Sequence, residues 1–564
     1  MSVASGAAVR AESRGPDGDP GRSGDEGRLP QILKSPQLMT ALAGLGVALR
    51  LWAFAASSSL GLDEILLSRN ILGLPLRDLL VEPLRLDQVA PRGFLLVEKL
   101  AVLALGPGEH ALRLFPFVAG VAAVLLFRRL AQRSLEGLAA PFALALFAVG
   151  VPLLRYSAEV KQYETDAAAS IVVMLLALDL RARETSLRRR VAFGLLGALV
   201  AWFSQPSVVL MGGIGLAFAA GWLRSRDRRL EGALFVTLPL WAAACVAAII
   251  AGRHSMTPST KAFMDAFWAQ GFMPRSPPLA ALQWFPERGV SLFGDPTLLR
   301  YPLPALFLAL ALAGLVVLFR ERREIAGILI GPLFVALAAG VARQYPFHGR
   351  VAMYLVPVVL LAIAAFVHWL SRQAARLHPA LGAAVLAIIL ALPASALLKS
   401  QPPYIVEHTE AMLSYLQQHR RPGDPVYVFP LQRIGVLYYG DRYGLSPADW
   451  TTGVCDPVDT RAYLRDLDRY RGVERLWVYS AVPRPFRTAS AAVQGYLGTI
   501  GIRRDSFERP SLIFGSSRLV LYDLSDPGRL ASAAAATFPV EPMPTDPRPG
   551  CRPWSSPSPV DSFR

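Results

Sequence analysis

The stretch GFLLVEKLAVLALG, residues 93–106, decides how this chain is threaded. It is apolar enough to suggest a membrane span, yet it is short and carries Glu98 and Lys99 near its middle. Eleven other apolar runs lie near 37–56, 111–128, 138–155, 166–180, 191–205, 206–223, 230–251, 301–319, 324–341, 350–369 and 379–398. Runs of this kind cross a bilayer as helices when they approach ~20 residues. If 93–106 crossed as well, every later loop would change sides. The Arg clusters forbid that, because short cytoplasmic loops carry an excess of Lys and Arg. With 93–106 lying on the outer surface as an amphipathic helix, Glu98 and Lys99 on its wet side, the clusters at 128–133, 181–190, 224–229, 320–323 and 372–376 all become cytoplasmic.

The bulk composition agrees. Of 564 residues 53% are hydrophobic and 18% charged, and the mean hydropathy is +0.38, too apolar for a soluble chain of this length. The formal charge of +16 resides largely in the short Arg clusters, so it argues for a membrane partner and against nucleic acid. Residues 1–36, rich in Gly, Ser, Pro, Asp and Arg, read as a disordered cytoplasmic tail without the apolar core of a secretory signal. Three cysteines make neither a framework nor a zinc site. Cys245 reads as packing within a span, while Cys455 and Cys551 are either a pair or two unrelated thiols.

The same parity makes 57–110, 155–166, 252–300, 342–350 and everything after 399 extracytoplasmic. From about 400 the pattern changes to alternating helix and strand. TEAMLSYLQQHRRPGDPVYVFP reads as helix, turn and buried strand, and TRAYLRDLDRYRGVERLWVYSAV repeats it. Residues 400–525 are therefore expected to form an outer α/β domain of Rossmann-like layering without a dinucleotide fingerprint, and 526–564 a Pro- and Ser-rich extended tail.

Charges at the edge of hydrocarbon are costly, which makes three outer stretches candidates for chemistry. GLDEILLSRNI, 61–71, presents Asp63 and Glu64, either as functional acids or as helix-capping ones. RYSAEVKQYETDAAAS, 155–170, presents Arg155, Glu159, Lys161, Tyr163 and Glu164, either as a phosphate and sugar site or as a local ion-pair cluster. RQYPFHGRVAMYLVPVVLL, 343–361, places His348 and Arg350 at the outer lip of a span. An oxygen-rich metal site from Asp63, Glu64 and Glu159 is conceivable, but none is assigned, and no cofactor is expected.

In this order the motifs resemble those of GT-C glycosyltransferases, in particular the bacterial relatives of protein O-mannosyltransferases and of the lipid A aminoarabinose transferase. GLDE after the first span is similar to the family's Asp-Glu signature. LDQVAPRGFLLVEKLAVLALGPGEHALRLFPFVAGVAAVLLFRRLA, 86–131, is similar to its following block, and YSAEVKQYETD and YPFHGRVAMYLVP resemble later segments. The resemblance covers roughly residues 38–400. It implies a mostly α, polytopic membrane protein of about eleven transmembrane helices, GT-C-like, with the α/β domain outside. It also implies a polyprenyl-phosphate-linked sugar as donor, inverting transfer to a hydroxyl, and a place in the inner (plasma) membrane. Asp63 then matches the base, Lys161 and Arg350 the phosphate ligands, and Glu64, Gln88, Glu159 and Tyr163 the surroundings of sugar or acceptor. Where many relatives have Lys-Pro-Pro this chain has Gln88 and APRG, leaving phosphate contact there to Arg92 or to nothing. A transporter of lipid-linked sugars would place ionisable groups in mid-span and show an internal repeat; a noncatalytic membrane-anchored binding protein would use the outer domain alone.

Overall fold

The computed structural model describes residues 36–56, 59–182, 185–454, 459–481, 487–511, 515–532, 534, 537, 538 and 540. Cys455, Cys551 and the N-terminal segment up to residue 35 lie outside the described residues. All eleven apolar runs are helical: Pro36–Ala55, Glu109–Ser134, Ala139–Val149, Tyr163–Ala182, Leu187–Phe203, Ser207–Ser225, Arg228–His254, Pro304–Glu321, Arg323–Val341, Gly349–Ala375 and Pro379–Lys399. Eight of these are long and apolar enough to cross a membrane. The other three fall short for visible reasons: Ala139–Val149 has 11 residues and stops at Gly150, Leu187–Phe203 has 17, and Tyr163–Ala182 carries Glu164, Asp166, Asp179 and Arg181. The chain is a multi-pass membrane protein with a small sheet domain at its C-terminal end.

Gly349–Ala375 is the central helix, buried over most of its length, whereas Pro379–Lys399 lies at the periphery. Helices approach closely where they present glycine. A Cβ on Gly213 would lie 2.3 Å from the Pro332 nitrogen, and one on Gly314 would lie 1.8 Å from the Ala362 carbonyl oxygen. Lipid offers no hydrophobic drive for helix association, so such backbone-to-backbone packing is what holds the bundle. Gly314→Leu is expected to lower stability by about 1–3 kcal/mol through overpacking, read as a lower thermal midpoint in detergent; an unchanged midpoint would remove this contact from the account.

The deciding stretch forms a helix, Arg92–Leu105, of 14 residues. At 1.5 Å per residue it reaches about 21 Å, short of a hydrocarbon core of ~30 Å. Its orientation differs from expectation. Glu98 is 0% exposed and Lys99 is buried, while Leu103 is 65% exposed and Leu100 and Leu105 also face outward. The reason is local: Lys99 Nζ donates to the Ile71 carbonyl at 2.8 Å and the Leu72 carbonyl at 3.2 Å, satisfying the free end of the Leu62–Gly73 helix. The leucines are consequently the face available to lipid.

The C-terminal domain holds a five-stranded sheet of order β2-β1-β3-β5-β4, with β1 Val426–Val428, β2 Trp450–Thr452, β3 Leu476–Ala481, β4 Ile502–Ser511 and β5 Gly515–Asp523. β1 pairs in parallel with β2 and β3, as the helix-strand repeat anticipates. β5 is antiparallel to both β3 and β4, so the layering is mixed where a Rossmann-like sheet would be parallel. Only three residues separate β4 from β5, too few for a parallel crossover. A short helix, Pro527–Ser532, falls where an extended tail was expected. The domain is not packed on its own: Met412, Leu413, Val426 and Tyr479 share one apolar core with Leu60, Ile65, Leu66, Phe94, Leu95 and Val160 from earlier in the chain. Tyr439 seals the junction, accepting from the Leu60 amide at 2.7 Å and donating to Glu109 Oε1 at 2.7 Å.

Candidate active site

The adjacent acids Asp63 and Glu64 separate at once. Both sit in the first turn of the Leu62–Gly73 helix, where neighbours project about 100° apart. Glu64 turns inward and is saturated. Its Oε1 accepts from Arg113 Nε at 3.0 Å and from the Val160 amide at 3.0 Å; its Oε2 accepts from Arg113 Nη2 at 3.0 Å and from the Gly61 amide at 2.9 Å. This arrangement is both a helix cap and a buried ion pair, and it leaves Glu64 little capacity for a substrate.

Asp63 faces the other way and pairs with the Arg350 guanidinium, its side chain remaining 36% exposed. Burial would raise its pKa, but the Arg350 and Lys161 charges override that and hold the carboxyl down at about 2. Arg350 lies within an aromatic cage, its guanidinium carbon 5.4 Å from the Tyr163 ring centroid, 5.7 Å from Trp268 and 6.0 Å from Phe267. The backbone there depends on glycine: Gly349 has φ +54°, and a Cβ would meet Thr297 Oγ1 at 2.9 Å, the same hydroxyl that accepts the Arg350 amide at 3.2 Å.

Lys161 belongs to the turn before the Tyr163–Ala182 helix and donates to Gln88 Oε1 at 2.9 Å; Gln88 in turn donates to the Leu86 carbonyl at 3.2 Å. Burial lowers the Lys161 pKa, with Asp63 pulling the other way and Arg350 adding to the decrease. Gln88 is thus the residue that aims Lys161. Glu159 accepts from Arg155 Nε at 2.8 Å, and burial raises its pKa against the attraction of Arg155. Arg155 Nη1 is buried and has no partner among the described residues. Beside it lies a small cavity of about 10 Å³ lined by Ser59, Glu64, Arg113, Arg155, Glu159 and Tyr404, among others.

The structure therefore gathers Asp63, Lys161, Arg350, Tyr163, Gln88 and Glu159 into one cluster. Arg92 stands apart, its guanidinium tying the Leu79 carbonyl at 2.7 Å and the Val81 carbonyl at 3.3 Å. His348 faces Arg288 Nη1 at 2.8 Å and Asp295 at 3.5 Å instead of the cluster's centre. Among the described residues no group of three or more His, Cys, Asp or Glu side chains is placed to hold a metal ion. Sequence reasoning assigned no role to Arg113, Thr297, Tyr404 or Trp268; Arg113 belongs to the Ala-Leu-Arg of the quoted block 86–131, and Trp268 to the aromatic pair Phe267-Trp268.

No known protein family and no curated protein matches the chain. It is similar in structure to ArnT from Cupriavidus metallidurans bound to undecaprenyl phosphate, at 12% identity and TM-score 0.46, over 86% of this chain and 97% of that one. The oligosaccharyltransferase of Archaeoglobus fulgidus, solved with zinc and sulfate, gives 13% identity and TM-score 0.43 over 86% and 73% of the two chains. The oligosaccharyltransferase AglB from the same organism, in complex with an inhibitory peptide and a dolichol-phosphate, gives 14% and 0.44 over 85% and 73%.

Proposed function

We propose that this chain is a glycosyltransferase that moves a sugar from a polyprenyl-phosphate donor to a hydroxyl acceptor on the outer side of the membrane, with inversion at the anomeric carbon. The observation that carries the reading is the pairing of a partly open acid, Asp63, with a caged cation, Arg350, and a second cation, Lys161, close by. Phosphate as leaving group calls for cations more than for an acid. In the reaction the acceptor oxygen attacks the anomeric carbon as its proton passes to Asp63. The bond from that carbon to the phosphate oxygen breaks, and the oxygen keeps the electron pair, its charge met by Arg350 and Lys161. Tyr163, Glu159 and Arg155 border the sugar, while Gln88 keeps Lys161 in place.

Arg350 has two roles in this scheme and cannot fill both at full strength. In the empty site it holds Asp63 as a weak base. A donor phosphate engages the same guanidinium, and Asp63, relieved of part of its counter-charge, becomes a better proton acceptor when the reaction needs one. The basic clusters at 128–133, 181–190 and 320–323 support a cytoplasmic N-terminus and an extracytoplasmic α/β domain in the inner (plasma) membrane.

The test is turnover of a radiolabelled undecaprenyl-phosphate sugar by the protein in nanodiscs. Arg350→Ala and Lys161→Ala are each expected to weaken donor binding by about 1–3 kcal/mol, the value of a charged hydrogen bond in a partly buried site; unchanged affinity in both would sink the assignment. Reporter fusions at residues 130 and 160 are expected inside and outside respectively. Label crossing a vesicle membrane without transfer would favour a transporter.

A further inference from the structure

Between the last apolar helix and the outer domain runs a strap, residues 400–408, that roofs the site: Pro403, Tyr404 and Ile405 line the same space as Arg155 and Glu159. It is fixed from both sides. Ser59 Oγ donates to the Glu407 carbonyl at 3.1 Å, Ser511 Oγ donates to the Val406 carbonyl, and the His408 amide donates to Ser517 Oγ at 3.3 Å. Gly61 fits beneath, where a Cβ would meet Val406 at 3.2 Å. Against this firm backbone the Glu407 side chain stands out. The residue is 1% exposed, and neither carboxyl oxygen has a hydrogen-bond partner among the described residues.

A buried carboxyl without partners is costly and calls for an explanation. Glu98, in the Arg92–Leu105 helix, poses the same problem. Glu407 follows the strap residues that line the space beside Arg155, and its main chain is held by Ser59 of that same lining. We propose that Glu407 is a substrate-recognition carboxyl of this site, its hydrogen-bonding capacity kept for a hydroxyl group of the donor sugar or of the acceptor. The assignment rests on the glycosyltransferase reading above. A phosphate is not assigned to it, because Arg350 and Lys161 already serve that group in the proposed reaction. Burial, with the Asp63 charge adding to it, raises the Glu407 pKa to about 8. Near neutral pH it therefore carries its proton, and a carboxylic acid can give one hydrogen bond to a hydroxyl oxygen while accepting another from the hydroxyl proton.

The experiment compares wild type, E407A and E407Q in nanodiscs with a radiolabelled undecaprenyl-phosphate hexose, following both hydrolysis by water and transfer to glycerol. E407A is expected to lose about tenfold or more in transfer while binding of undecaprenyl phosphate is kept, and E407Q, which also donates and accepts, to retain most of it. Loss of transfer alone assigns the acceptor's hydroxyl, and loss of transfer and hydrolysis together assigns the sugar's. Unchanged transfer in E407A overturns the proposal. A second arm does not depend on turnover: dicyclohexylcarbodiimide, which modifies protonated carboxyls in apolar surroundings, is expected to label Glu407 and Glu98, with the hexose donor or glycerol slowing only Glu407. Labelling of Glu407 that neither ligand slows also overturns it. A wild type that turns over nothing yet shows this protection counts against the reaction and not against the site.

Discussion

Asp63→Asn is expected to lower sugar transfer by roughly 10²–10⁴-fold, the range for removal of a general base, and at the same time to bind undecaprenyl phosphate more tightly. The two effects have opposite signs because, in the proposed reaction, Asp63 both takes the acceptor proton and competes with the donor. Its carboxylate occupies the Arg350 guanidinium in the empty site, and an amide of the same shape would leave that cation to the phosphate. A gain of about tenfold, ~1.4 kcal/mol, would correspond to release of one such competing contact. Tryptophan fluorescence is a suitable readout, since Trp268 lies in the Arg350 cage. If the variant binds the phosphate more weakly than wild type, Asp63 is not the competitor and the exchange of Arg350 between the two partners fails. The acid limb of the pH profile offers a check. With a pKa of about 2, lowered from 3.8, free Asp63 is ionised above that value and becomes protonated only as the pH falls through it. Once phosphate shares Arg350 the pKa rises, so the limb in kcat should lie at higher pH than the limb in kcat/KM.

The largest expected effect on stability is at Arg113. Its guanidinium meets both oxygens of Glu64 in a buried setting, and removing one member of such a pair leaves the other charge uncompensated. Arg113→Ala should cost about 3–5 kcal/mol and appear as a collapse in folded yield and thermal midpoint. The double variant E64M/R113M should recover part of that loss, because two apolar side chains leave no orphan charge. A single variant as stable as wild type would mean that the Glu64 cap, with the Gly61 and Val160 amides, suffices alone.

Much of the scaffold was legible because a membrane span is written in composition: each of the eleven apolar runs is a helix, and parity singled out 93–106 as the exception. Side-chain direction was harder. Glu98 and Lys99 look like a wet face, yet the partners of Lys99 are main-chain carbonyls at 71 and 72, which no side-chain pattern reveals. Asp63 and Glu64 are indistinguishable as letters, and what separates them is Arg113 and Arg350, distant in the chain and brought to opposite sides of one helix turn. Glu407 was invisible for a similar reason. Its surroundings come from two different domains, and a lone acid in a connecting segment carries no pattern. The mixed sheet was missed because a hairpin and a crossover look alike until the length between strands is weighed.

The apolar core that residues 60–66 share with Met412, Leu413 and Tyr479 has a consequence for biogenesis. The Leu60 amide meets Tyr439 across 379 positions of chain, so the loop that bears Asp63 emerges early from the ribosome yet acquires its final neighbours last. A nascent or truncated chain ending at residue 399 would carry every membrane helix and still leave that loop's leucines bare. Ribosome-stalled chains of increasing length should therefore remain protease-sensitive around residues 59–90 until the sheet has folded and closed over them, a late ripening of the segment that bears Asp63.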